Sequence, residues 1–200
     1  MGKSMGASPT ACEEARSAGQ LVSCYALVTY VPGRLGEFLT NLRCELVPGC
    51  HLRSHVTFLP PRKLDADQHT AWQRIASVCE RWTPFTLELT QIEFFPGTNV
   101  AYVALGEGRV LVEQLHQQLN CGPLYFDEPF AFHPHITLAQ GVEAADVAEL
   151  KKLAEARWRE YRGERSFSID EITFVQNVAE NEWVDLNALT LSMPSVGQAR

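Results

Sequence analysis

Histidine and threonine recur in the same order in two short segments of the chain. Residues 55–58 read HVTF and residues 135–138 read HITL, so each segment is a histidine, an apolar residue, a threonine and an apolar residue. Side chains alternate between the two faces of a β-strand. In each segment the histidine and the threonine therefore share one face, and the two apolar residues share the other. We call these segments the first and the second motif.

The paired motifs suit acid–base chemistry at a phosphodiester. An imidazole has an ordinary pKa of about 6.5, so near neutral pH one ring can accept a proton while the other donates one. His55 and His135 are the candidate base and acid, in an order that the sequence leaves open. Thr57 and Thr137 carry hydroxyls that can donate hydrogen bonds to non-bridging phosphate oxygens as charge builds there. Such proton transfer requires no metal ion or other cofactor.

The elements that carry the motifs occur in the same order in both halves of the chain. Apolar periodicity predicts a strand, a helix, a strand, a helix and a strand in the first half, over residues 21–31, 35–46, 52–59, 65–82 and 85–95. The second half repeats this order over residues 100–105, 109–120, 132–139, 143–162 and 166–176, and a last strand follows over 183–192. We expect Pro60 and Pro61 to end the strand of the first motif.

This duplication predicts an α+β fold with two related lobes. We expect pseudo-repeats over about residues 21–95 and 98–192, in one bilobal domain with two largely antiparallel, curved sheets around a central cleft and the helices outside. Pseudo-twofold symmetry would place equivalent strands on opposite sides of the cleft, so that both motifs face one point. Residues 1–20 are expected to be a disordered tail, and residues 193–200 a second tail.

Composition and charge narrow the class of protein. The chain has 200 residues, of which 46% are hydrophobic and 20% charged, as in a globular domain. No apolar run is long enough for a membrane span, and a net charge of −7 argues against extended binding along a nucleic-acid backbone. The six cysteines form no Cys-x-x-Cys pair and no secretory signal precedes them. We therefore expect reduced thiols, a cytoplasmic location and a monomer.

The motifs and their flanking residues resemble those of the 2H phosphoesterase superfamily, which includes 2′,5′-RNA ligase-like and cyclic nucleotide phosphodiesterase proteins. Residues 54–61 (SHVTFLPP) are similar to the family's first motif, and residues 132–139 (FHPHITLA) to its second, including the proline before the histidine. The resemblance covers about residues 21–192. It implies the two-lobed fold, an acid–base pair made of the two motif histidines, and phosphate-holding hydroxyls on the two motif threonines.

The resemblance implies a metal-independent phosphoesterase whose substrate is a nucleotide or an RNA-end phosphodiester. The family acts on 2′,3′-cyclic phosphates, on ADP-ribose 1″,2″-cyclic phosphate or on 2′,5′-linked RNA, by cleavage or ligation. A nucleotide- or RNA-end-binding module that keeps the cleft without turnover is the alternative. A zinc site that includes both His133 and His135 is a second alternative, although no H-E-x-x-H motif and no paired-cysteine spacing supports it.

Three further residues are weaker candidates for substrate contacts. Arg53 has the strand parity of the first motif's histidine and could reach the cleft. Arg62 follows the first motif and could hold a phosphate through two parallel hydrogen bonds. His133 could support the site from the strand of the second motif. His69 and His116 fall in predicted helices, where we expect surface positions.

Overall fold

Two four-stranded antiparallel sheets form the framework of the protein. The computed structural model describes residues 24–179 and 182–192, so both predicted tails and the first three residues of the first predicted strand lie outside the described residues. The strands are β1 (Cys24–Tyr30), β2 (His55–Arg62), β3 (Phe85–Phe94), β4 (Ala101–Leu105), β5 (His135–Ala139), β6 (Ser166–Ile169), β7 (Glu171–Ala179) and β8 (Glu182–Thr190). The first sheet has the order β2-β1-β7-β8 and the second has the order β5-β4-β3-β6.

Helices accompany both sheets, and the predicted α+β class with two largely antiparallel sheets is confirmed. Within the described residues the α-helices are α1 (Gly33–Leu46), α2 (Gln68–Cys79), α3 (Arg109–Leu119) and α4 (Val147–Glu160), and a 3₁₀ turn spans Gly122–Leu124. Buried side chains from the sheets and the helices pack into one large apolar core. None of the helices described combines the length and the apolar character that crossing a bilayer requires.

Each sheet contains strands from both halves of the chain. The first half contributes β1 and β2 to the first sheet, but its third strand, β3, pairs with β4 and β6 in the second sheet. Likewise, β7 comes from the second half and pairs with β1. The exchange ties the two halves together through backbone hydrogen bonds, and it leaves β2 and β5, which carry the two motifs, at the edges of their sheets.

Two element boundaries differ from the sequence prediction for reasons that involve sheet position. The predicted strand 166–176 is divided at Asp170, because β6 pairs with β3 in the second sheet while β7 pairs with β1 in the first. The prolines at positions 60 and 61 do not end β2, which continues to Arg62. A proline has no N–H to donate to a neighbouring strand, so it is disfavoured in an inner strand, which is paired on both sides. An edge strand such as β2 is paired on one side only, and a missing N–H on its other side breaks no bond of the sheet.

Local sequence explains where α1 lies. On α1 the buried residues include Leu35, Leu39 and Leu42, which recur at helical spacing. Gly36 lies on the same buried face, where a Cβ atom would be 1.9 Å from the carbonyl oxygen of Val31. The helix can therefore approach the end of β1 this closely only because position 36 is glycine.

The cysteines agree with the expectation of reduced thiols at four positions and not at a fifth. Cys44, Cys50, Cys79 and Cys121 are free, and burial raises the pKa of the Cys79 thiol to about 12. Cys24 is disulfide-bonded, so the expectation is wrong for that residue.

Candidate active site

The two motifs lie on edge strands that meet. Strand β2 starts at His55 and β5 starts at His135, and these strands are in contact along a line that we call the seam. The predicted alternation is observed in both strands. The four apolar motif residues are fully buried, whereas the motif histidines and threonines keep partial exposure. The histidines and threonines thus lie on the partly exposed face of the two motif strands, opposite the core.

Both motif histidines are anchored by the same kind of hydrogen bond. Nδ1 of His55 lies 2.7 Å from the carbonyl oxygen of Arg53, and Nδ1 of His135 lies 2.6 Å from that of His133. Since a carbonyl oxygen only accepts, Nδ1 carries the proton in each neutral ring and Nε2 is the unprotonated nitrogen. Nε2 of His135 lies 3.1 Å from Oγ1 of Thr137, so the second motif is also linked internally.

The surroundings of the two rings favour their neutral forms. The pKa of His55 is lowered to about 4, by burial first and then by the positive charges of Arg43, His135 and Arg53. The pKa of His135 is also lowered, by burial first and by the charge of His133. In each case the hydrogen bond to the backbone carbonyl acts in the opposite direction, because it favours the protonated ring. In the free protein at neutral pH both imidazole rings are therefore neutral, and the Nε2 atom of each is unprotonated.

Aromatic rings flank His135. Phe95 and Tyr102 are stacked with their centroids 4.2 Å apart, and each meets the His135 ring at a steep angle, at 4.9 and 5.2 Å. The Tyr102 hydroxyl donates a hydrogen bond of 2.8 Å to Glu93. Burial, followed by this hydrogen bond and the charge of Glu93, raises the pKa of Tyr102 to about 12. The phenol of Tyr102 therefore stays protonated at neutral pH.

Arg53 and His133 both lie beside a motif histidine. The guanidinium of Arg53 lies 3.6 Å above the ring centroid of Tyr30, which in turn meets the His55 ring at 6.4 Å. Its side chain is 63% exposed, and its ion pair with Asp185 is long, at 3.8 Å. His133 is half-buried with its ring centroid 6.3 Å from that of His135. The structure thus brings both residues close to the motifs.

Arg62 occupies a different environment. Its side chain is 1% exposed and forms a 2.5 Å ion pair with Glu128. It also donates hydrogen bonds to Oδ1 of Asn120 and to the carbonyl oxygens of Pro60 and Leu124. These contacts occupy the guanidinium with protein partners, so the structure places Arg62 in the interior and away from the half-exposed face of the motifs.

Two residues near the motifs were missed by the sequence analysis. Arg43 on α1 is 4% exposed and donates a 2.7 Å hydrogen bond from Nη1 to the carbonyl oxygen of Thr137. His116 on α3 is 6% exposed, and its Nδ1 lies 2.8 Å from the carbonyl oxygen of Phe58. The expected surface position of His116 is therefore wrong, whereas His69 is exposed as predicted.

The sequence did contain a signal for these two residues. Arg43 lies four positions after the buried Leu39, and His116 lies four positions after the buried Val112. Residues four apart share a helix face. A polar residue on an apolar face needs a buried partner, and here the partner is a carbonyl on the motif strand of the other half of the chain.

Metal ligation finds no support in the described part of the chain. Within residues 24–179 and 182–192, no group of three or more histidine, cysteine, aspartate or glutamate side chains is placed to hold a metal ion. His133 and His135 flank the Phe95 and Tyr102 rings without a third such ligand.

Comparison with known protein families gives a match over most of the chain. The model of the 2'-5' RNA ligase superfamily matches residues 33–181, which include both motifs. A curated protein of Geobacillus kaustophilus named "Putative phosphoesterase" is 28% identical over 147 residues, which cover 68% of this chain and 82% of that protein. Its namesake from Halalkalibacterium halodurans is 24% identical over 131 residues, which cover 64% of this chain and 74% of that protein.

Solved structures share the fold at low sequence identity. The crystal structure of E. coli LigT complexed with 3'-AMP superposes with a TM-score of 0.56 at 17% identity, covering 86% of this chain and 99% of that one. The structure of Kluyveromyces marxianus Usb1 with uridine monophosphate gives a TM-score of 0.51 at 12% identity, again over 86% and 99% of the two chains. At these identities the likeness concerns the arrangement of elements alone.

Proposed function

Because this chain belongs to the 2'-5' RNA ligase superfamily, we propose that it is a metal-independent phosphoesterase that acts on a nucleotide or an RNA-end phosphodiester. The observation that carries the proposal is the matched anchoring of His55 and His135, whose Nδ1 atoms are held by backbone carbonyls on two strands that meet. This anchoring leaves both Nε2 atoms available for proton transfer.

The reaction needs one ring in each protonation state. For a cyclic phosphate, one Nε2 accepts a proton from water as the water oxygen bonds to phosphorus, and the other ring donates its proton to the ribose oxygen as the P–O bond breaks. The lowered pKa values of both rings mean that the acid loses its proton readily. The hydroxyls of Thr57 and Thr137 would donate hydrogen bonds to the non-bridging oxygens.

The substrate class is supported by the relatives and by the residues around the motifs. E. coli LigT and K. marxianus Usb1 have solved structures with 3'-AMP and uridine monophosphate. In this chain, Arg53 stacks on Tyr30 beside the first motif, and its weak pairing with Asp185 leaves the charge available to a phosphate. His133 is placed to support the second motif. We propose both as contributors to substrate binding.

Direct turnover tests the proposal. The purified protein would be incubated in EDTA with 2′,3′-cyclic nucleotides, ADP-ribose 1″,2″-cyclic phosphate and 2′,5′-linked oligonucleotides, with products read by phosphorus NMR. We expect ring opening or linkage cleavage, and a loss of about 10²- to 10⁴-fold in His55→Ala and in His135→Ala. His69→Ala is the matched control, because His69 is an exposed histidine on α2.

Three results would contradict the two-histidine scheme. Activity that disappears with EDTA would indicate a metal-bound hydroxide. Activity that survives either motif variant would remove that histidine from the chemistry. Tight binding of a nucleotide, measured by calorimetry, without product across the panel would favour the non-catalytic binding module.

A further inference from the structure

Arg43 is a buried cation at the seam between the two motif strands. It lies near the C-terminal end of α1 with 4% of its surface exposed. Nη1 donates to the carbonyl oxygen of Thr137 at 2.7 Å, and Nη2 lies 3.8 Å from the sulfur of Cys50. Its Nε atom is buried with no hydrogen-bond partner. The guanidinium is therefore only partly satisfied.

Arg62 shows how this protein satisfies a buried guanidinium elsewhere. That side chain pairs with the carboxylate of Glu128 and donates to three further oxygen atoms. By contrast, within residues 24–179 and 182–192 no carboxylate forms an ion pair with Arg43. A buried charge without a counter-ion is costly, so an uncompensated guanidinium at this position indicates an anion that arrives from outside.

The contacts of Arg43 direct its charge towards the motifs. Thr137 belongs to the second motif and lies on edge strand β5. The charge of Arg43 also acts on the first motif, where it contributes more than that of His135 or Arg53 to the lowered pKa of His55. One buried side chain therefore affects both motifs.

We propose that Arg43 is a positioning residue of the cleft, which holds the backbone of the second motif at Thr137 and supplies the positive charge that a substrate phosphate neutralises. The proposal rests on the proposed function only for the identity of the anion. Arg43 acts through the Thr137 backbone and through its electric field, without a direct bond to the reacting atoms.

Inorganic phosphate is the probe that tests this inference. Its dissociation constant would be measured by calorimetry for the wild-type protein, Arg43→Met and Arg43→Lys. We expect Arg43→Met to bind about 10- to 100-fold more weakly, since a buried positive charge beside both motif strands is lost. Arg43→Lys keeps the charge and should recover most of the affinity. Arg157→Met is the charge-matched control, because Arg157 is an exposed residue of α4.

A proton NMR titration of His55 adds a readout that a purely structural role would not move. A nearby positive charge disfavours the imidazolium, so removing it in Arg43→Met should raise the pKa of His55, whereas Arg43→Lys should leave it nearly unchanged. A folded Arg43→Met protein with wild-type phosphate affinity and wild-type His55 titration would overturn the proposal. So would an equal loss of affinity in Arg157→Met.

The wild-type protein provides a test that needs no folded Met variant. The Nε–H resonance of Arg43, assigned with Arg43→Lys, should shift on phosphate addition with the same dissociation constant as the His55 ring, while that of Arg157 stays in place. No shift at Arg43, or no phosphate binding at all, would refute the inference. None of these measurements needs turnover. A lack of phosphoesterase activity would therefore contradict the proposed function, whereas the role of Arg43 is decided by phosphate binding alone.

Discussion

The imidazoles of His55 and His135 are held by the same backbone contact although they belong to different halves of the chain. Each ring donates from Nδ1 to the carbonyl two residues earlier, an arrangement that depends only on the strand itself. Their electrostatic surroundings differ, however, because Arg43 acts on His55 and the Phe95–Tyr102 stack lies beside His135. Equal anchoring with unequal surroundings can separate the two pKa values, as an acid–base pair requires.

The lowered pKa values predict an activity maximum at mildly acidic pH. The productive free enzyme has one neutral and one protonated ring, and the pKa values of both rings lie below the ordinary 6.5, that of His55 at about 4. As pH rises through the upper value the acid loses its proton, so kcat/KM should fall. Measuring kcat/KM from pH 4 to 9 checks this, and a steady rise with pH would contradict it.

The hydroxyl of Thr137 should matter more for kcat than for KM. It lies 3.1 Å from Nε2 of His135 and is placed to stabilise charge that develops on the phosphate. We expect Thr137→Val, which keeps the shape, to lower kcat by about 10²-fold. Steady-state kinetics with the exposed Thr83→Val as control tests this. A kcat equal to that of the control variant would exclude the hydroxyl from the reaction.

At the scale of elements, the edge positions of β2 and β5 explain several features together. An edge strand has backbone groups without a strand partner, and here side chains of α1 and α3 bond to them: Arg43 to Thr137, and His116 to Phe58. The same edge position lets β2 continue through two prolines. The motif strands are therefore positioned by helices from the opposite half as well as by their own sheets.

The close approach of α1 to β1 predicts that Gly36→Ala is destabilising. A Cβ atom at this position would lie 1.9 Å from the Val31 carbonyl oxygen, so the helix or the strand end must shift. Alanine is the better helix former by about 1 kcal/mol, but overpacking of this kind typically costs about 1–3 kcal/mol. Urea unfolding should therefore show a net loss for Gly36→Ala and almost none for the exposed Glu37→Ala; equal free energies of unfolding would contradict the steric argument.

At the scale of the whole molecule, contacts between the halves hold the two motifs together. Strand β3 of the first half pairs with β4 of the second half, and β7 of the second half pairs with β1 of the first half. Arg62, at the end of the first motif strand, adds a buried link to Glu128 in the second half. An exposed ion pair between Arg157 and Glu45 joins α4 to α1. The cleft is therefore a product of the complete chain, and neither half forms a sheet alone.

The buried link is expected to contribute far more to stability than the exposed one. Arg62→Met leaves the carboxylate of Glu128 unpaired in a mostly buried site, so we expect a loss of about 3–5 kcal/mol in the free energy of unfolding. Arg157→Met breaks only a solvent-exposed pair and should lower the free energy of unfolding far less. Urea unfolding of both variants compares them directly. Similar losses of unfolding free energy in the two variants would contradict the larger contribution expected of the buried pair.

The order of the elements and the face on which each motif residue lies follow from the sequence by itself. Periodicity is a local property: the alternation in residues 55–58 and 135–138 is sufficient to bury the apolar positions, and the spacing of Leu35, Leu39 and Leu42 is sufficient for α1. The start of α2 is also set locally, since the carboxylate of Asp67 accepts the N–H of Thr70.

Only the tertiary structure decided which element covers which. Periodicity marks an apolar face without identifying the partner that packs on it, so the exchange of β3 and β7, the division at Asp170 and the interior position of Arg62 were beyond local patterns. Arg43 is the clearest case. Its place on an apolar helix face is visible in the sequence, but its partner, the Thr137 carbonyl, lies 94 residues away and becomes its neighbour only when the two motif strands meet.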